Sequence, residues 1–376
     1  MLQTILVYSG LTVFMYQCAR KYRRYGSWSI IFVACVTYAV IFGCRYGVGN
    51  DYFGYLAFYN ELLNSPQLTQ FENFEIGFRY LSEIIAYFKC HYAVFFGITS
   101  FIPIYIIFLT FKKERSIYPF LIIAFMFGCQ WLYVENAIRQ SIAVSLWIIS
   151  IKFIAEKNYK LHYIFLIIAF YFHKSAAFLF PFYLLLNWKS EWFKSLKFQY
   201  IGLFVAIILM SVNFTQSILS QIEAIARYSG YGFFVDNDLN SELLRDDVNI
   251  GLGVFLSILI NSIIIYYSNR IKSDSNNVYY IYAYNLYYLG VCSHYAFINS
   301  HLIIRFTDYF YILGFIMGAY TLRYLFYYRR FYYYVLSFLY FLTFIAILLK
   351  MDTNTTRFIF FWQDDLFYLK NYFSFN

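Results

Sequence analysis

The chain alternates between long apolar runs and short polar intervals from one end to the other. Because a helix needs about 20 apolar residues to cross the hydrocarbon core of a bilayer, each run predicts a membrane-spanning helix. The predicted spans lie near residues 2–19, 28–44, 92–111, 117–134, 138–155, 161–172, 175–188, 198–213, 250–268, 278–297, 302–320 and 331–349. The sixth and seventh runs are short and meet at residues 172–175. They predict either two half-helices that bend inside the membrane or one long helix.

This pattern predicts an all-α fold: a polytopic integral membrane protein with about twelve spanning helices, or roughly ten to thirteen. We expect residues 1–376 to form a single membrane domain. Two longer outer loops are predicted near residues 45–91 and 213–249, and the first contains an amphipathic stretch near residues 76–88. Loops of such length are usually functional or disordered.

The charged residues indicate the orientation of the chain. Most Lys and Arg residues lie in alternate intervals, at 20–24, 112–115, 152–160, 189–197, 270–272 and 323–330, whereas most carboxylates lie in the other intervals. Basic clusters mark the cytoplasmic side of a membrane. Both termini are therefore predicted outside. The first apolar run precedes its basic cluster, which is the reverse of a signal peptide, so we expect an uncleaved helix.

The composition supports a membrane protein over a soluble one. Charged residues make up 13% of the chain and hydrophobic residues 61%, whereas soluble domains contain about 25% charged residues. The net charge of +9 does not indicate nucleic-acid binding, because the basic residues lie between the predicted spans. The six cysteines have no paired spacing, so neither a disulfide framework nor a metal site is predicted.

The segment 45–52, RYGVGNDY, follows the second predicted span. Gly47 and Gly49 permit a tight turn that exposes backbone N–H groups, and Arg45 adds a planar fork of donors, which suits an anion. Asp51 supplies a carboxylate in the same segment. The alternative is an ordinary loop with an interfacial Arg–Asp pair.

A second polar group lies at the start of the fifth predicted span. Asn136, Arg139, Gln140 and Ala143 follow i, i+3, i+4, i+7 spacing, so we expect them to share one helical face that lines a cavity. The alternative is a helix end whose arginine reaches to the membrane surface.

His173 and Ser175 lie between the two short runs. A histidine can act as a general base near neutral pH, although a lone histidine is more often a packing residue. Glu75 is a further charged residue of the first outer loop.

Arg305, Asp308 and Tyr309 are spaced to share a face of a late helix, with an intrahelical Arg–Asp pair as the plain alternative. Arg227 and Arg245 belong to the second outer loop. Three separate helix starts thus present an arginine to the same side of the membrane, which predicts recognition of an anionic group such as pyrophosphate. The chain has no Walker loop, dinucleotide fingerprint or HExxH motif.

Four short motifs, in this order, resemble the EpsG-like Wzy polysaccharide polymerases. They are RYGVGNDY from residue 45, EIGF from residue 75, NAIRQSIA from residue 136 and FHKSA from residue 172. Asn50 and Ile76 depart from the usual Thr and Pro of the family, while the charged positions are intact. The later half matches loosely, through the element that begins at Arg305.

The resemblance implies a polymerase of O-antigen or capsule repeat units, and hence a role in lipopolysaccharide or capsule synthesis, in the bacterial inner membrane. Such glycosyltransferases join oligosaccharides carried on undecaprenyl pyrophosphate at the periplasmic face, with no nucleotide sugar, metal or other cofactor. The implied partners are this lipid-linked substrate, membrane lipid, a chain-length regulator and a flippase of the same pathway, and no nucleic acid.

Within this hypothesis, Arg45, Arg139 and Arg305 are predicted to bind the pyrophosphate. The base that accepts the proton of the attacking hydroxyl is predicted to be His173, then Glu75 or Asp51. The wider predicted binding set also contains Asn136, Gln140, Tyr52, Tyr309, Arg227 and Arg245.

Two related functions stay open. A flippase of the same lipid-linked sugar needs charges that are reachable from both sides of the membrane. An O-antigen ligase performs the same chemistry on a different acceptor. An acyltransferase is disfavoured, because no histidine precedes His91.

Overall fold

The computed structural model describes residues 2–49, 51–64, 74–188, 191–211, 251–275, 277–349 and 357–363. Throughout these ranges the regular elements are helices, and one isolated antiparallel bridge joins Arg45 to Phe360. The prediction of an all-helical fold is confirmed.

The chain divides into two compact units, Met1–Phe180 with Tyr340–Asn376, and Pro181–Leu339. The first contains α1 (Leu2–Tyr25), α2 (Trp28–Gly43), α3 (Tyr52–Asn64), α4 (Ile76–Tyr87), α5 (Tyr92–Thr110), α6 (Tyr118–Phe127), α7 (Gln130–Asn136), α8 (Ile138–Ala155) and α9 (Tyr159–Phe172). Two 3-10 helices, Arg115–Ile117 and Lys174–Leu179, also belong to it. A division into two compact units does not show whether each folds independently. The prediction of a single membrane domain therefore stays a prediction.

The second unit contains α10 (Phe182–Trp188), α11 (Leu196–Ser211), α12 (Leu252–Ser275), α13 (Val278–Ala296), α14 (His301–Tyr311) and α15 (Leu313–Tyr328). The unit boundary at Leu339 falls inside the last helix, α16 (Arg330–Leu349).

Several helices begin at a side chain that accepts a hydrogen bond from the first turn. Asn158 caps α9 by accepting from the Leu161 N–H at 3.2 Å, and Ser300 caps α14 by accepting from the Ile303 N–H at 3.2 Å. Such caps satisfy N–H groups that have no partner within the helix. The polar intervals of the sequence therefore fix where these helices start.

In the first unit, α2 packs along α5 through small residues. A Cβ atom on Gly43 would lie 2.5 Å from the Ala93 carbonyl oxygen, so only glycine permits this approach. Small residues at helix contacts let backbones approach closely, which is how helices associate in membranes.

Among the described residues, four helices are long and apolar enough to cross a membrane: Tyr92–Thr110, Ile138–Ala155, Leu252–Asp274 and Arg330–Leu349. A bent pair, Arg115–Phe127 with Gln130–Asn136, gives a fifth. The chain is thus a helical membrane protein, and four or five of its described spans are long and apolar enough to cross a membrane. Shorter apolar helices lie at Trp28–Gly43, Tyr159–Phe172 and Leu196–Ser211. The count of about twelve crossings stays a prediction.

Two predicted spans are interrupted, and the two short ones that meet at 172–175 are separated by a change in backbone conformation. The span at 117–134 bends by 66° between α6 and α7, where Cys129 takes a left-handed conformation with φ 56°. The late span at 302–320 is broken at Ile312. Helix α9 ends at Phe172, and extended backbone at His173 leads into the 3-10 helix, so residues 172–175 are not part of one long helix.

The first predicted outer loop contains two helices. The amphipathic stretch predicted near 76–88 is helix α4, which confirms that prediction. Helix α3 was not predicted, because its 13 residues are too few for a span. The second predicted outer loop, 213–249, lies outside the described residues.

Candidate functional site

A glycine-rich turn follows α2 and lies against the end of α7. Gly47 and Gly49 have φ angles of 67° and 104°, in the region that favours glycine. A Cβ atom on Gly49 would lie 3.4 Å from the Glu135 carbonyl oxygen. The Asp51 N–H donates to Asn136 Oδ1 at 3.3 Å. The two polar motifs at 45–52 and 135–140 are therefore in direct contact.

Arg45 extends from this turn into the interior of the unit, where it forms an ion pair with Glu135. Its Nη1 also donates to the Phe42 carbonyl at 2.9 Å, and its Nη2 donates to the Glu135 carbonyl at 3.1 Å. Glu135 accepts in addition from the Tyr38 hydroxyl at 2.8 Å and from Ser100 Oγ at 2.7 Å. This buried network connects α2, α5 and α7.

The burial of Arg45 decides what it can do. Its side chain is 0% exposed, so it offers no surface to a ligand, and a buried charge is tolerated only where it is paired and hydrogen-bonded. The sequence predicted Arg45 as a pyrophosphate ligand. The geometry instead supports a positioning role, in which Arg45 anchors the glycine turn to α7. Sequence reasoning assigned no role to Glu135, although a carboxylate inside an apolar run signals such a site.

The segment 357–363 forms backbone hydrogen bonds with residues 44 and 46, next to the glycine-rich turn. The Tyr46 N–H donates to the Ile359 carbonyl at 2.8 Å, and the Phe361 N–H donates to the Cys44 carbonyl at 3.0 Å. Phe358 is buried and packs against Tyr8 at a centroid distance of 5.7 Å. The glycine turn is therefore held by backbone pairing as well as by the Arg45 network.

Arg139 lies in the first turn of α8, and its side chain is 25% exposed. Its Nη1 is 2.5 Å from Glu75 Oε2, its Nε donates to the Tyr55 hydroxyl at 3.4 Å, and its guanidinium lies 4.4 Å from the Phe74 ring centroid. Burial raises the pKa of the Tyr55 phenol, a group that is already neutral at pH 7 at its ordinary pKa. Arg139 is oriented by these partners and remains accessible.

Glu75 connects three elements. It occupies the N-cap position of α4, pairs with Arg139 of α8, and its Oε1 accepts from the Lys174 N–H at 3.3 Å. His173, the preceding residue, has Nδ1 at 2.5 Å from Ser175 Oγ and is partly exposed. The structure thus brings Arg139, Glu75 and the His173 segment to one place.

A family model described as the EpsG family matches residues 28–361, which is most of the chain. The chain belongs to the EpsG family. The resemblance drawn from the four motifs is confirmed, and with the apolar helices it indicates a membrane protein with a polysaccharide-polymerase-like role. No curated protein and no solved structure matches the chain.

One predicted arrangement in this EpsG protein is wrong. Asn136 does not share a helical face with Arg139 and Gln140, because the backbone at Ala137, with φ −91° and ψ 58°, ends α7 and starts α8. Asn136 instead receives the hydrogen bond from the glycine turn. Gln140 and Tyr52 are buried, with 5% and 1% of their surface exposed.

The second unit of the EpsG protein contains the remaining described candidates. Arg305 of α14 is exposed, whereas Tyr309 on the same helix is buried. Asp308 Oδ1 lies 3.9 Å from His294 Nδ1, and the His294 ring stacks on Tyr311 at 3.8 Å. His294 was not predicted, although a histidine within an apolar run is a signal that sequence offers.

Two predicted binding residues, Arg227 and Arg245, lie outside the described residues. Across the described ranges, no group of three His, Cys, Asp or Glu side chains is placed to hold a metal ion.

Proposed function

We propose that this EpsG-family chain is a polymerase of lipid-linked oligosaccharide repeat units. It transfers the growing chain from undecaprenyl pyrophosphate to the terminal sugar hydroxyl of the next lipid-linked unit, and so builds O-antigen or capsular polysaccharide. The match to the family over residues 28–361 is the observation on which the proposal rests. The accessible Arg139 beside Glu75 and the His173 segment supports it.

The proposed reaction is a glycosyl transfer. The bond between the anomeric carbon and the pyrophosphate oxygen breaks, and the acceptor hydroxyl oxygen bonds to that carbon and loses its proton. Undecaprenyl pyrophosphate leaves with the bonding electron pair, so negative charge develops on a group that is already anionic. The chemistry therefore needs fixed positive charge at the leaving group and a base at the acceptor.

Arg139 supplies the positive charge in this proposal. Its guanidinium matches the geometry of phosphate oxygens, and its place in the first turn of α8 adds the positive end of the helix dipole. Glu75 and Tyr55 orient the guanidinium, so the side chain loses little freedom when the pyrophosphate binds. We assign Glu75 as a positioning residue, since both of its oxygens already accept hydrogen bonds.

His173 is the proposed general base. When its Nδ1–H donates to Ser175 Oγ, Nε2 holds the lone pair that accepts the hydroxyl proton. Asp51 is exposed at the end of the glycine turn and is the remaining predicted carboxylate base. Arg305, Arg227 and Arg245 stay proposed contacts to the pyrophosphate or sugars, whereas the buried Tyr309 is no longer assigned as a contact.

The proposal places this site on the periplasmic side of the bacterial inner membrane, in a multi-pass protein of about twelve crossings with both termini outside. The alternation of basic and acidic intervals along the sequence supports this orientation. No metal ion or nucleotide takes part. A chain-length regulator and a flippase of the same pathway are the proposed protein partners.

A reconstituted assay tests the function. The purified protein is placed in vesicles with undecaprenyl-pyrophosphate repeat units, and the products are separated by size. The proposal predicts a ladder of multimers and one released undecaprenyl pyrophosphate for each bond formed. Transfer only to added lipid A core would indicate a ligase. Movement of unchanged substrate across the bilayer without any ladder would indicate a flippase.

A further inference from the structure

The second unit contains a cavity of about 730 Å³ between α11, α12 and the start of α16. This volume is within the range of about 300–1,000 Å³ that is typical of small-molecule sites. Its walls are mainly apolar and include Leu259, Ile263, Val335 and Leu339. None of its described lining residues has a role in the proposed reaction.

Two polar groups of the wall, the hydroxyls of Tyr200 and Ser262, already have hydrogen-bond partners. The Tyr200 hydroxyl donates to the Ser262 carbonyl at 2.8 Å, and Ser262 Oγ donates to the Ile258 carbonyl at 2.8 Å. The aliphatic part of the wall offers no partner to the hydroxyl groups of a sugar, which are costly to bury unpaired. The wall therefore favours a hydrocarbon chain.

Two arginines, Arg270 and Arg329, also line the cavity. The Arg270 guanidinium lies 5.3 Å from the Tyr266 ring centroid and 5.6 Å from the Tyr267 ring centroid, so cation–π contacts hold it. Arg329 lies between α15 and α16 and is exposed. Among the described residues that line the cavity, none is acidic.

We propose that this cavity binds one anionic phospholipid, with an acyl chain along the apolar wall and the phosphate between Arg270 and Arg329. Charge complementarity selects this occupant: a hydrocarbon wall joined to two guanidinium groups matches a chain joined to a phosphate. A zwitterionic lipid has the same chain and a phosphate, but its own ammonium group cancels the charge.

The test is native mass spectrometry of the full-length protein in detergent, with phosphatidylglycerol or phosphatidylcholine added at matched concentrations. Phosphatidylglycerol is expected to remain bound in one copy under conditions that remove phosphatidylcholine. Arg270→Gln and Arg329→Gln are each expected to weaken its retention about fivefold. Arg330→Gln is the matched control, because Arg330 adjoins Arg329 in sequence but does not line the cavity.

A second variant tests the chain-binding wall. Leu259→Trp fills part of the cavity and is expected to reduce phosphatidylglycerol retention while both arginines stay in place. Gel filtration and the helical signal in circular dichroism show whether each variant is folded, and the polymerisation ladder is not used as a readout.

Three outcomes overturn the proposal. Equal retention of the two phospholipids would show that the cavity does not select a lipid by its charge. Unchanged retention in the folded double variant Arg270→Gln/Arg329→Gln removes the assigned site. Displacement of phosphatidylglycerol by equimolar undecaprenyl phosphate, without displacement in the opposite direction by excess phosphatidylglycerol, assigns the cavity to the isoprenoid carrier instead.

Discussion

Arg45 and Arg139 each pair with a carboxylate, but their surroundings give the pairs different roles. The Arg45–Glu135 pair has 0% and 2% exposed side-chain surface, whereas Arg139 is 25% exposed. An enclosed pair cannot exchange its partner for a ligand without opening the fold. A partly exposed guanidinium that is held on one side by Glu75 can accept a phosphate on the other. The buried pair therefore holds the fold, and the accessible pair is the one proposed to bind the substrate.

Breaking the buried pair is expected to be costly. Arg45→Met leaves Glu135 buried without its cation, which typically costs about 3–5 kcal/mol. The double variant Arg45→Met/Glu135→Leu removes both charges and should recover part of this loss. The measurement is the free energy of unfolding in detergent for wild type, both single variants and the double variant. If the loss of unfolding free energy in the double variant equals the sum of the two single losses, Arg45 and Glu135 do not stabilise each other.

His173 is expected to act in the chemical step. His173→Ala should lower kcat of polymerisation by about 10²–10⁴, the usual contribution of a general base, and leave KM nearly unchanged. Ser175→Ala should have a smaller effect, because it removes only the group that orients the ring. A His173→Ala variant that raises KM and keeps kcat would mean that the histidine binds substrate and takes no proton.

Sequence alone could single out Arg139 and His173, since each is ionisable and adjoins an apolar run, and Glu75 through the motif that begins with it. The structure brings these segments together. Sequence alone could not reveal that Arg45 is enclosed, because its partner is 90 positions away in the chain. Nothing in the local pattern at 45–52 distinguishes an arginine that turns inward from one that faces solvent.

At the scale of elements, apolar runs predict where helices lie but not where they bend. The predicted spans at 28–44, 92–111 and 138–155 agree closely with α2, α5 and α8. The breaks at Cys129, Ala137 and His173 depend on single backbone conformations that hydropathy does not record. These breaks matter for function, since two of them place Arg139 and His173 at helix ends.

The contact between α4 and α9 is expected to control the site. A Cβ atom on Gly77 would lie 2.9 Å from the Tyr171 carbonyl oxygen, so Gly77→Ala should push α4 away from α9. Glu75 lies at the start of α4 and would move with it, away from Arg139. We expect at least a tenfold loss of polymerisation, on the order of 1.4 kcal/mol, in a variant that still folds.

Gly54→Ala in α3 is the matched control, because no atom beyond its chain neighbours and its own helical turns lies within 4 Å of the added Cβ position. Its activity should equal that of wild type, and its stability should be unchanged or higher by about 0.4–1 kcal/mol. The ladder assay and thermal unfolding measure both variants. Equal activity of Gly77→Ala and Gly54→Ala would show that the α4–α9 contact does not position Glu75.

At the scale of the whole molecule, the orientation is open to a direct test. Alkaline phosphatase is active only outside the cytoplasm, so a fusion after Asn376 should be active if the C-terminus is periplasmic. A fusion of the chain truncated after Lys157, in a basic interval predicted inside, should be inactive. An inactive fusion after Asn376 and an active fusion after Lys157 would show the opposite orientation. The Arg139 site would then face the cytoplasm, away from its proposed periplasmic substrate.

The helical membrane character of the molecule follows from its sequence, but the number of crossings does not. Hydropathy counts apolar runs, whereas crossing a bilayer also requires length. Helix α10 has seven residues, and α7 has seven that belong to a bent pair. A run of suitable composition can therefore fold as a short or broken helix.

The most direct test of the account is the rate of ladder formation by Arg139 variants. Arg139→Ala should slow elongation by a factor on the order of 10²–10³ in a folded protein, and Arg139→Lys should retain part of the activity, because it keeps the charge and loses the fork. Arg79→Ala should match wild type, since Arg79 lies on α4 and pairs with Glu83 of the same helix. Wild-type rates in Arg139→Ala would contradict the proposed site.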